Sequence, residues 1–262
     1  MAYVEWLRVR RVARICAITF GVFLILEVLM RIVAQIVLPH AVQSNGMLAI
    51  DIAGFSPFVL VLGLITATIF GAPLAKENSG HLEIAWTKPI SREALAIRSF
   101  GIDIAGTIII QCMAMLAQLL AIVILTPPQL TLSPDGILVI IIAFAGPIAW
   151  YALLTTLTAS MRQGFGIALG LAWPVAIAIP FLALVQDPDR QWVQYIHAVL
   201  VALRAIDPLT YVSMGITTMQ IETNNGVQVL SGVPGLVNLE ILIALSVVYL
   251  VLAIVQWRRV EA

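Results

Sequence analysis

The sequence predicts an all-α integral membrane protein with six transmembrane helices and an N-terminal amphipathic helix in the membrane interface. Two observations predict this fold class. The 262-residue chain is 61% hydrophobic and only 11% charged, whereas a soluble domain carries about 25% charged residues. Apolar runs of about 18 residues or more recur along the chain, which is typical of helices that cross a bilayer and not of an alternating β-barrel.

The predicted elements follow in chain order. Residues 1–14 combine Tyr3, Trp6 and Leu7 with arginines, a pattern typical of a helix that lies in the interface. Residues 15–262 form the transmembrane domain. At a rise of about 1.5 Å per residue, each of its apolar runs can cross a hydrocarbon core of about 30 Å. The six predicted spans are 15–38, 55–75, 100–125, 136–159, 166–185 and 236–256.

Lysine and arginine predict the orientation of the spans, because these residues accumulate on the cytoplasmic side. With the N-terminus inside, 11 of the 14 cations fall on that side, and only Arg31, Arg190 and Arg204 lie elsewhere. Both termini are therefore expected in the cytoplasm. The inner cations are Arg8, Arg10, Arg11, Arg14, Lys76, Lys88, Arg92, Arg98, Arg162, Arg258 and Arg259.

The longest connection, residues 186–235, lies on the outer side in this topology. Its middle, QWVQYIHAVLVALRAI, has a helical pattern bounded by Pro188 and Pro208. The pattern predicts one or two short helices at the outer membrane face. A seventh span is the less favoured alternative, because Arg204 interrupts the apolar stretch and an odd number of spans would contradict the basic C-terminus.

The loop Lys76–Arg92, KENSGHLEIAWTKPISR, is a charged island between two apolar runs. Gly80 permits a sharp turn, and Pro89 ends any helix before the next one begins. The mixed segment between them contains Leu82 and Trp86. A short helix that exposes such side chains in the cytosol suits docking to another protein. An amphipathic connector in the membrane interface is an equal alternative on these grounds.

This loop resembles the cytoplasmic loop in permease subunits of the type-2 ABC exporter class, the ABC-2 family. Those permeases carry a glutamate-rich turn after the second span, followed by the pattern G-x-L-E-x-x-x-x-x-P-x-S-R. The segment Ala205–Tyr211 is also similar to a stretch before the last span of that family. Thr87 and Lys88 depart from the family, which often has apolar residues there. The matching loop residues are Glu77, Gly80, Leu82, Glu83, Pro89, Ser91 and Arg92.

The resemblance implies that the chain is the membrane-spanning permease of an ATP-driven exporter. It implies that Leu82–Trp86 is a coupling helix in a cleft of a separate ABC ATPase subunit. A second permease copy, identical or related, would complete a dimer in a bacterial or archaeal cell (inner) membrane. The residues assigned to ATPase coupling are Glu77, Gly80, Leu82, Glu83, Trp86, Pro89 and Arg92.

The chain itself is not expected to be an enzyme. It has no phosphate loop of the form G-x-x-x-x-G-K-[ST], so ATP and Mg would be held by the partner ATPase. Its histidines, His40, His81 and His197, show no metal-ligand spacing. The formal net charge of +0 gives no indication of a nucleic-acid partner.

Polar residues inside the predicted spans are candidate pathway residues, because they are costly in a membrane. Glu27 and Arg31, four residues apart, either neutralise each other on one helix face or contact cargo or protons, and pairing is favoured. Asp103, Gln111 and Gln118 fall on one stripe of the third span. They either line a pathway or bridge helices by hydrogen bonds.

A small-residue pattern at Gly166 and Gly170 in the fifth span predicts close packing against another helix. The few fixed charges favour a hydrophobic or amphipathic small molecule or a lipid as cargo, and the direction of transport stays open. One alternative is an ion-coupled transporter or channel that uses Glu27, Arg31 and Asp103. A membrane-embedded enzyme and a non-transporting scaffold subunit are the others.

Overall fold

The computed structural model describes residues 2–37, 49–78, 92–125, 129–131, 134–182, 191–216, 220–223, 226–229 and 235–259. Apolar sequence folds into helices here because a helix satisfies its own backbone groups within one segment. The helices are α1 (Ala2–Val37), α2 (Ser56–Phe70), α3 (Pro73–Asn78), α4 (Arg92–Leu125), α5 (Pro134–Thr158), α6 (Phe165–Leu182), α7 (Gln191–Ile206), α8 (Pro208–Ile216) and α9 (Gly235–Arg259).

Short strands occur in the connections. β1 (Ala49–Asp51) pairs in parallel with β2 (Gln129–Thr131), and a 3₁₀ turn, Ile52–Phe55, joins β1 to α2. β3 (Gln220–Thr223) pairs antiparallel with β4 (Gly226–Val229). The β1–β2 pair ties the segment before α2 to the segment before α5, so these two helices begin at the same end of the bundle.

Within the described residues, four helical stretches are long and apolar enough to cross a membrane. They coincide with the predicted second, third, fourth and sixth spans. The predicted fifth span is α6, whose apolar part, Phe165–Ile179, is shorter. The predicted first span belongs to α1, and a total of six spans stays a prediction. The four stretches are Ile52–Lys76, Glu93–Leu120, Gly136–Thr158 and Gly235–Arg259.

The N-terminal helix is continuous. The sequence predicts an interfacial helix over 1–14 and a span from residue 15, whereas α1 runs over 36 residues without a break. At about 1.5 Å per residue it is about 54 Å long, which exceeds the thickness of a hydrocarbon core. Its arginine-rich part therefore continues the axis of its apolar part, and α1 packs against α4.

α5 is the centre of the bundle. It packs against α9, α2 and α8, and its side chains Trp150, Tyr151 and Leu154 are fully buried. The outward faces of the surrounding helices are apolar: Val61 and Val251, for example, are about half exposed. Hydrocarbon is a suitable surrounding for such a surface, whereas water is not.

One end of the bundle, called the basic end below, carries Lys76, Arg162, Arg258 and Arg259. The ends of α2 and α5 meet there, where the Thr158 hydroxyl donates to the Gly71 carbonyl at 3.0 Å. The start of α4 and the end of α9 meet there too, through an ion pair between Glu93 and Arg258. This clustering agrees with the expectation from the sequence that most cations lie on one side of the membrane.

α7 and α8 form a hairpin whose tip is buried against the bundle at Asp207. The carbonyl of Ile206, at the end of α7, accepts a hydrogen bond from the hydroxyl of Tyr249, well within α9. α8 then leads back towards the other end, since Val212 touches Gly146 at the midpoint of α5. The tip between the two helices is Asp207.

The sequence predicts these helices at the outer membrane face. α7 covers the same sixteen residues as the helical pattern in the sequence, and that part of the prediction is confirmed. The junction, however, is attached to a neighbouring helix, since Tyr249 of α9 donates to the Ile206 carbonyl. Tyr211 of α8 also donates to the Ala205 carbonyl at 2.8 Å. A composition pattern does not reveal such distant partners.

Gly63 lets α2, α4 and α5 approach closely. A Cβ atom at this position would lie 2.5 Å from Gln111 Nε2 and 2.6 Å from Pro147 Cγ. We expect Gly63→Ala to lower the free energy of unfolding by about 1–3 kcal/mol, because the core would be overpacked. Unfolding in mixed detergent micelles measures this change.

Gly101→Ala in α4 is the matched control. None of the residues that the structure describes lies within 4 Å of a Cβ atom built there, so alanine should be neutral or should stabilise the helix by about 0.5–1 kcal/mol. Equal stability of the two alanine variants would contradict the close approach at Gly63.

Candidate functional site

The loop assigned to ATPase coupling lies largely outside the described residues. Glu77 belongs to α3 and Arg92 begins α4, but their side chains lie outside the described part as well. The structure therefore describes the two helices that flank the loop, α3 and α4. The coupling residues beyond the described part are Gly80, Leu82, Glu83, Trp86 and Pro89.

The helix before the loop, α3, is fixed to the bundle. Gly71 and Ala72 end α2, and α3 begins at Pro73, where the missing amide hydrogen costs nothing. Leu74 is 1% exposed, so α3 is buried rather than splayed out. Lys76 Nζ donates to the Ile69 carbonyl at 3.1 Å, which satisfies one of the free acceptors at the end of α2.

The helix after the loop, α4, is held at the same place. Glu93 pairs with Arg258 of α9, and both side chains are about half exposed, so this pair contributes only about 0–1 kcal/mol. Apolar packing contributes more to the attachment of α4 than this ion pair does. Ala96 and Trp257 are buried in one cluster with Leu74 of α3. Both ends of the loop are thus attached to a single packed cluster at the basic end.

The polar stripe predicted on the third span faces inward. Asp103, Gln111 and Gln118 are 3%, 0% and 2% exposed, so the prediction that they share the inner face of α4 is confirmed. Thr107, also on this face, donates to the Asp103 carbonyl at 2.9 Å. These side chains point at neighbouring helices and not at lipid.

Asp103 joins α4 to α5. The Tyr151 hydroxyl donates to its Oδ2 at 3.0 Å, and the Tyr151 ring meets Phe100 edge-on with a centroid distance of 6.4 Å. A carboxyl group at this depth needs a donor, since burial without one is costly. The structure therefore gives Asp103 a helix-bridging contact, while a role in a pathway stays a prediction.

Gln111 joins the same two helices at a proline. Pro147 lies inside α5 and has no amide hydrogen for the carbonyl one turn earlier, at Ala143. Gln111 Nε2 donates to that carbonyl at 2.9 Å. A side chain of α4 thus replaces the backbone bond that α5 lacks, which is how proline is accommodated in a membrane helix.

Thr68 joins three helices. Its hydroxyl oxygen accepts hydrogen bonds from the indoles of Trp150 in α5 and Trp173 in α6, both at 3.0 Å. The same hydroxyl donates to the Leu64 carbonyl in its own helix at 2.8 Å. The two rings meet edge-on at 5.6 Å. One donor and two acceptor sites are therefore all in use.

The roles of Thr68 and Pro147 were not predicted from the sequence. Two signals were available. A tryptophan in an apolar span needs a partner for its indole N–H. A proline in a span leaves the carbonyl one turn earlier without its backbone donor, so that carbonyl needs a substitute. Neither signal identifies the partner, because Thr68 and Gln111 are more than thirty residues from the groups they bind.

Two further predictions concern residues at the edge of what the structure describes. Glu27 and Arg31 belong to α1, but their side chains lie outside the described part, so their pairing stays a prediction. Gly166 and Gly170 lie on an exposed face of α6, and no described residue lies within 4 Å of a Cβ atom at either position. That face is open to another molecule or to lipid.

A cleft of about 230 Å³ lies between α2 and α8. Its wall is apolar apart from one hydroxyl group, so it suits hydrocarbon and not charged groups. It is lined by Pro57, Leu60, Val61, Leu64, Leu209, Val212 and Ser213.

Comparisons of the chain with protein-family models, curated proteins and solved structures found no match. Support for its function therefore comes from its own residues and contacts. The described residues contain no group of three or more His, Cys, Asp or Glu side chains arranged to hold a metal ion.

Proposed function

We propose that the chain is the permease subunit of an ATP-driven ABC exporter of the type-2 class. It would work with a separate ATPase through the loop 76–92, and it would move a hydrophobic or amphipathic small molecule or a lipid. The observation that carries this proposal is the attachment of both loop ends to one packed cluster. The match of the loop to the family pattern supports it.

The packed cluster would allow a movement of the loop to be transmitted to several helices. Interiors packed at high density transmit displacement instead of absorbing it. A pull on the loop reaches α3 through Leu74, α4 through Ala96 and α9 through Trp257, since these three side chains belong to one packed cluster. The ATPase would supply that pull when ATP and Mg close its dimer, and the permease would convert it into a rearrangement of helices.

The polar contacts inside the bundle define which helices would move together. Asp103 and Gln111 tie α4 to α5, and Thr68 ties α2 to α5 and α6. The mostly apolar cleft between α2 and α8 and the scarcity of fixed charges favour a hydrophobic or amphipathic cargo. The exposed glycine face of α6 fits packing against a second copy.

The proposal places the protein in a bacterial or archaeal cell membrane, with the basic end and both termini in the cytoplasm. The distribution of lysine and arginine supports this orientation. An ion-coupled carrier is the second candidate, because Asp103 is a buried carboxyl group between helices. It differs in needing no ATPase partner.

The test is a pull-down of the tagged chain from its native membrane in mild detergent, with mass spectrometry of the bound proteins. We expect a stoichiometric subunit with a phosphate loop. Trp86→Ala and Glu83→Ala should lower its recovery and the cargo-stimulated ATPase activity by about tenfold or more, since central aromatic contacts dominate docking. Both variants should still insert into the membrane.

Trp192→Ala is the matched control, because this tryptophan is exposed at the start of α7 and is not part of the loop sequence. It should leave the ATPase bound. Normal coupling in Trp86→Ala and Glu83→Ala would refute the docking assignment. A chain that purifies alone in several mild detergents, and transports in response to an ion gradient, would favour the ion-coupled carrier.

A further inference from the structure

The tip of the α7–α8 hairpin holds a buried carboxyl group. Asp207 is 5% exposed, and its Oδ1 accepts the backbone N–H of Leu209 at 3.0 Å. It therefore caps the N-terminus of α8, with Pro208 in the first helical position. Its own N–H donates to the Arg204 carbonyl at 3.3 Å, so the residue joins the end of α7 to the start of α8.

The second carboxyl oxygen has no hydrogen-bond partner of normal geometry among the described residues. Asp207 Oδ2 and the neighbouring Thr210 Oγ1 are both fully buried, and neither makes a hydrogen bond that meets normal geometry with the described residues. A buried carboxylate with an unused oxygen is costly in its charged form, and the neutral acid is less costly. Binding of a proton at this oxygen therefore lowers the cost of burying the group.

No cation offsets the charge. Within the described part of the chain Asp207 forms no ion pair. Tyr249 of α9 and Tyr211 of α8 are the titratable groups beside the tip among the described residues. On the other packed elements, Tyr151 of α5 donates to Asp103, and Arg204 of α7 forms no ion pair with Asp207. α2 and α6 carry no titratable residue. The positive end of the α8 dipole favours the carboxylate, but the negative end of α7 opposes it.

We propose that the Asp207 carboxyl group is a proton-binding site at the tip of the hairpin, and that release of the proton loosens the tip from α9. The bonds at risk are the ones that seat the tip. Tyr249 and Tyr211 donate to the last carbonyls of α7, and a charged carboxylate beside these hydroxyl groups draws the tip towards water.

The direction of the effect follows from linkage. Burial raises the pKa of Asp207 from 3.8 to about 6, and the hydrogen bond from the Leu209 amide and the nearby Thr210 hydroxyl group oppose this rise. A raised pKa means that the protonated tip is the stable one. The added stability is complete below the unfolded pKa of 3.8 and is lost as the pH rises through about 6.

Hydrogen–deuterium exchange of α8 in lipid nanodiscs tests the proposal on the purified chain, without any transport partner. After correction for intrinsic exchange, amide protection in the wild type should fall by about tenfold from about pH 5 to about pH 8. A pKa that differs by about 2 between the closed and the open tip changes the opening equilibrium by about 100-fold over the whole titration. About tenfold of that change lies above pH 5, because the carboxyl group of the open tip has already ionised there. Asp207→Asn, which keeps the capping oxygen but stays neutral, should be protected equally at both pH values.

Glu240→Gln is the control, because Glu240 is an exposed carboxylate on α9, and it should keep the pH response of the wild type. If Asp207→Asn does not fold, infrared titration of the wild type still decides. A protonated carboxyl band that disappears with a midpoint near pH 6 supports the proposal. Its absence near pH 5, or an equal pH response in Asp207→Asn, overturns the proposal whether or not the chain is a permease.

Discussion

Thr68→Val is expected to destabilise the bundle by about 2–4 kcal/mol, although valine has nearly the shape of threonine. The substitution removes the acceptor that the indoles of Trp150 and Trp173 share. Trp150 is fully buried, so its N–H would be left without a partner in an apolar surrounding. Unfolding in mixed detergent micelles, followed by tryptophan fluorescence, measures the loss and reports on the two rings directly.

Thr66→Val on the same helix is the matched control. Thr66 is 1% exposed, and its hydroxyl donates to the Leu62 carbonyl at 2.8 Å, which already accepts the helical backbone bond. Its loss leaves no donor unpaired, so we expect a change of about 0–1 kcal/mol. If the two valine variants were equally stable, the shared hydroxyl would not hold the three helices together.

The parts of the fold that follow from local pattern were predictable. Continuous apolar runs located the four spanning helices, since burial in hydrocarbon depends on composition and length. The spacing of Asp103, Gln111 and Gln118 predicted their common inner face, and all three are buried. The pattern over 191–206 predicted α7 residue for residue.

The parts that depend on distant partners were not predictable. The position of the hairpin tip depends on Tyr249, more than forty residues beyond Ile206. The unbroken α1 depends on whether two segments of different character share one axis, which periodicity alone does not decide. The loop pattern around Leu82–Trp86 predicts a partner, and contacts within a single chain neither supply nor exclude one.

The contact between Gln111 and the Ala143 carbonyl makes a second prediction with a large effect. Gln111→Leu removes the donor at 2.9 Å and leaves that carbonyl without its substitute for the missing backbone bond. We expect the free energy of unfolding to fall by about 3 kcal/mol, because an unsatisfied backbone group within hydrocarbon costs several kcal/mol. The unused Oε1 of Gln111 disappears at the same time, which offsets part of the loss.

Pro147→Ala tests whether the proline is the reason that the Ala143 carbonyl needs Gln111 as a donor. Alanine restores an N–H one turn after Ala143, so α5 can satisfy the carbonyl itself and the glutamine becomes dispensable. In the double variant Gln111→Leu, Pro147→Ala, the cost of losing Gln111 should shrink by about 1–3 kcal/mol, a coupling typical of residues in one network. If Gln111→Leu costs the same with proline as with alanine at position 147, the glutamine stabilises the bundle by packing alone, and α4 does not replace the bond that α5 lacks.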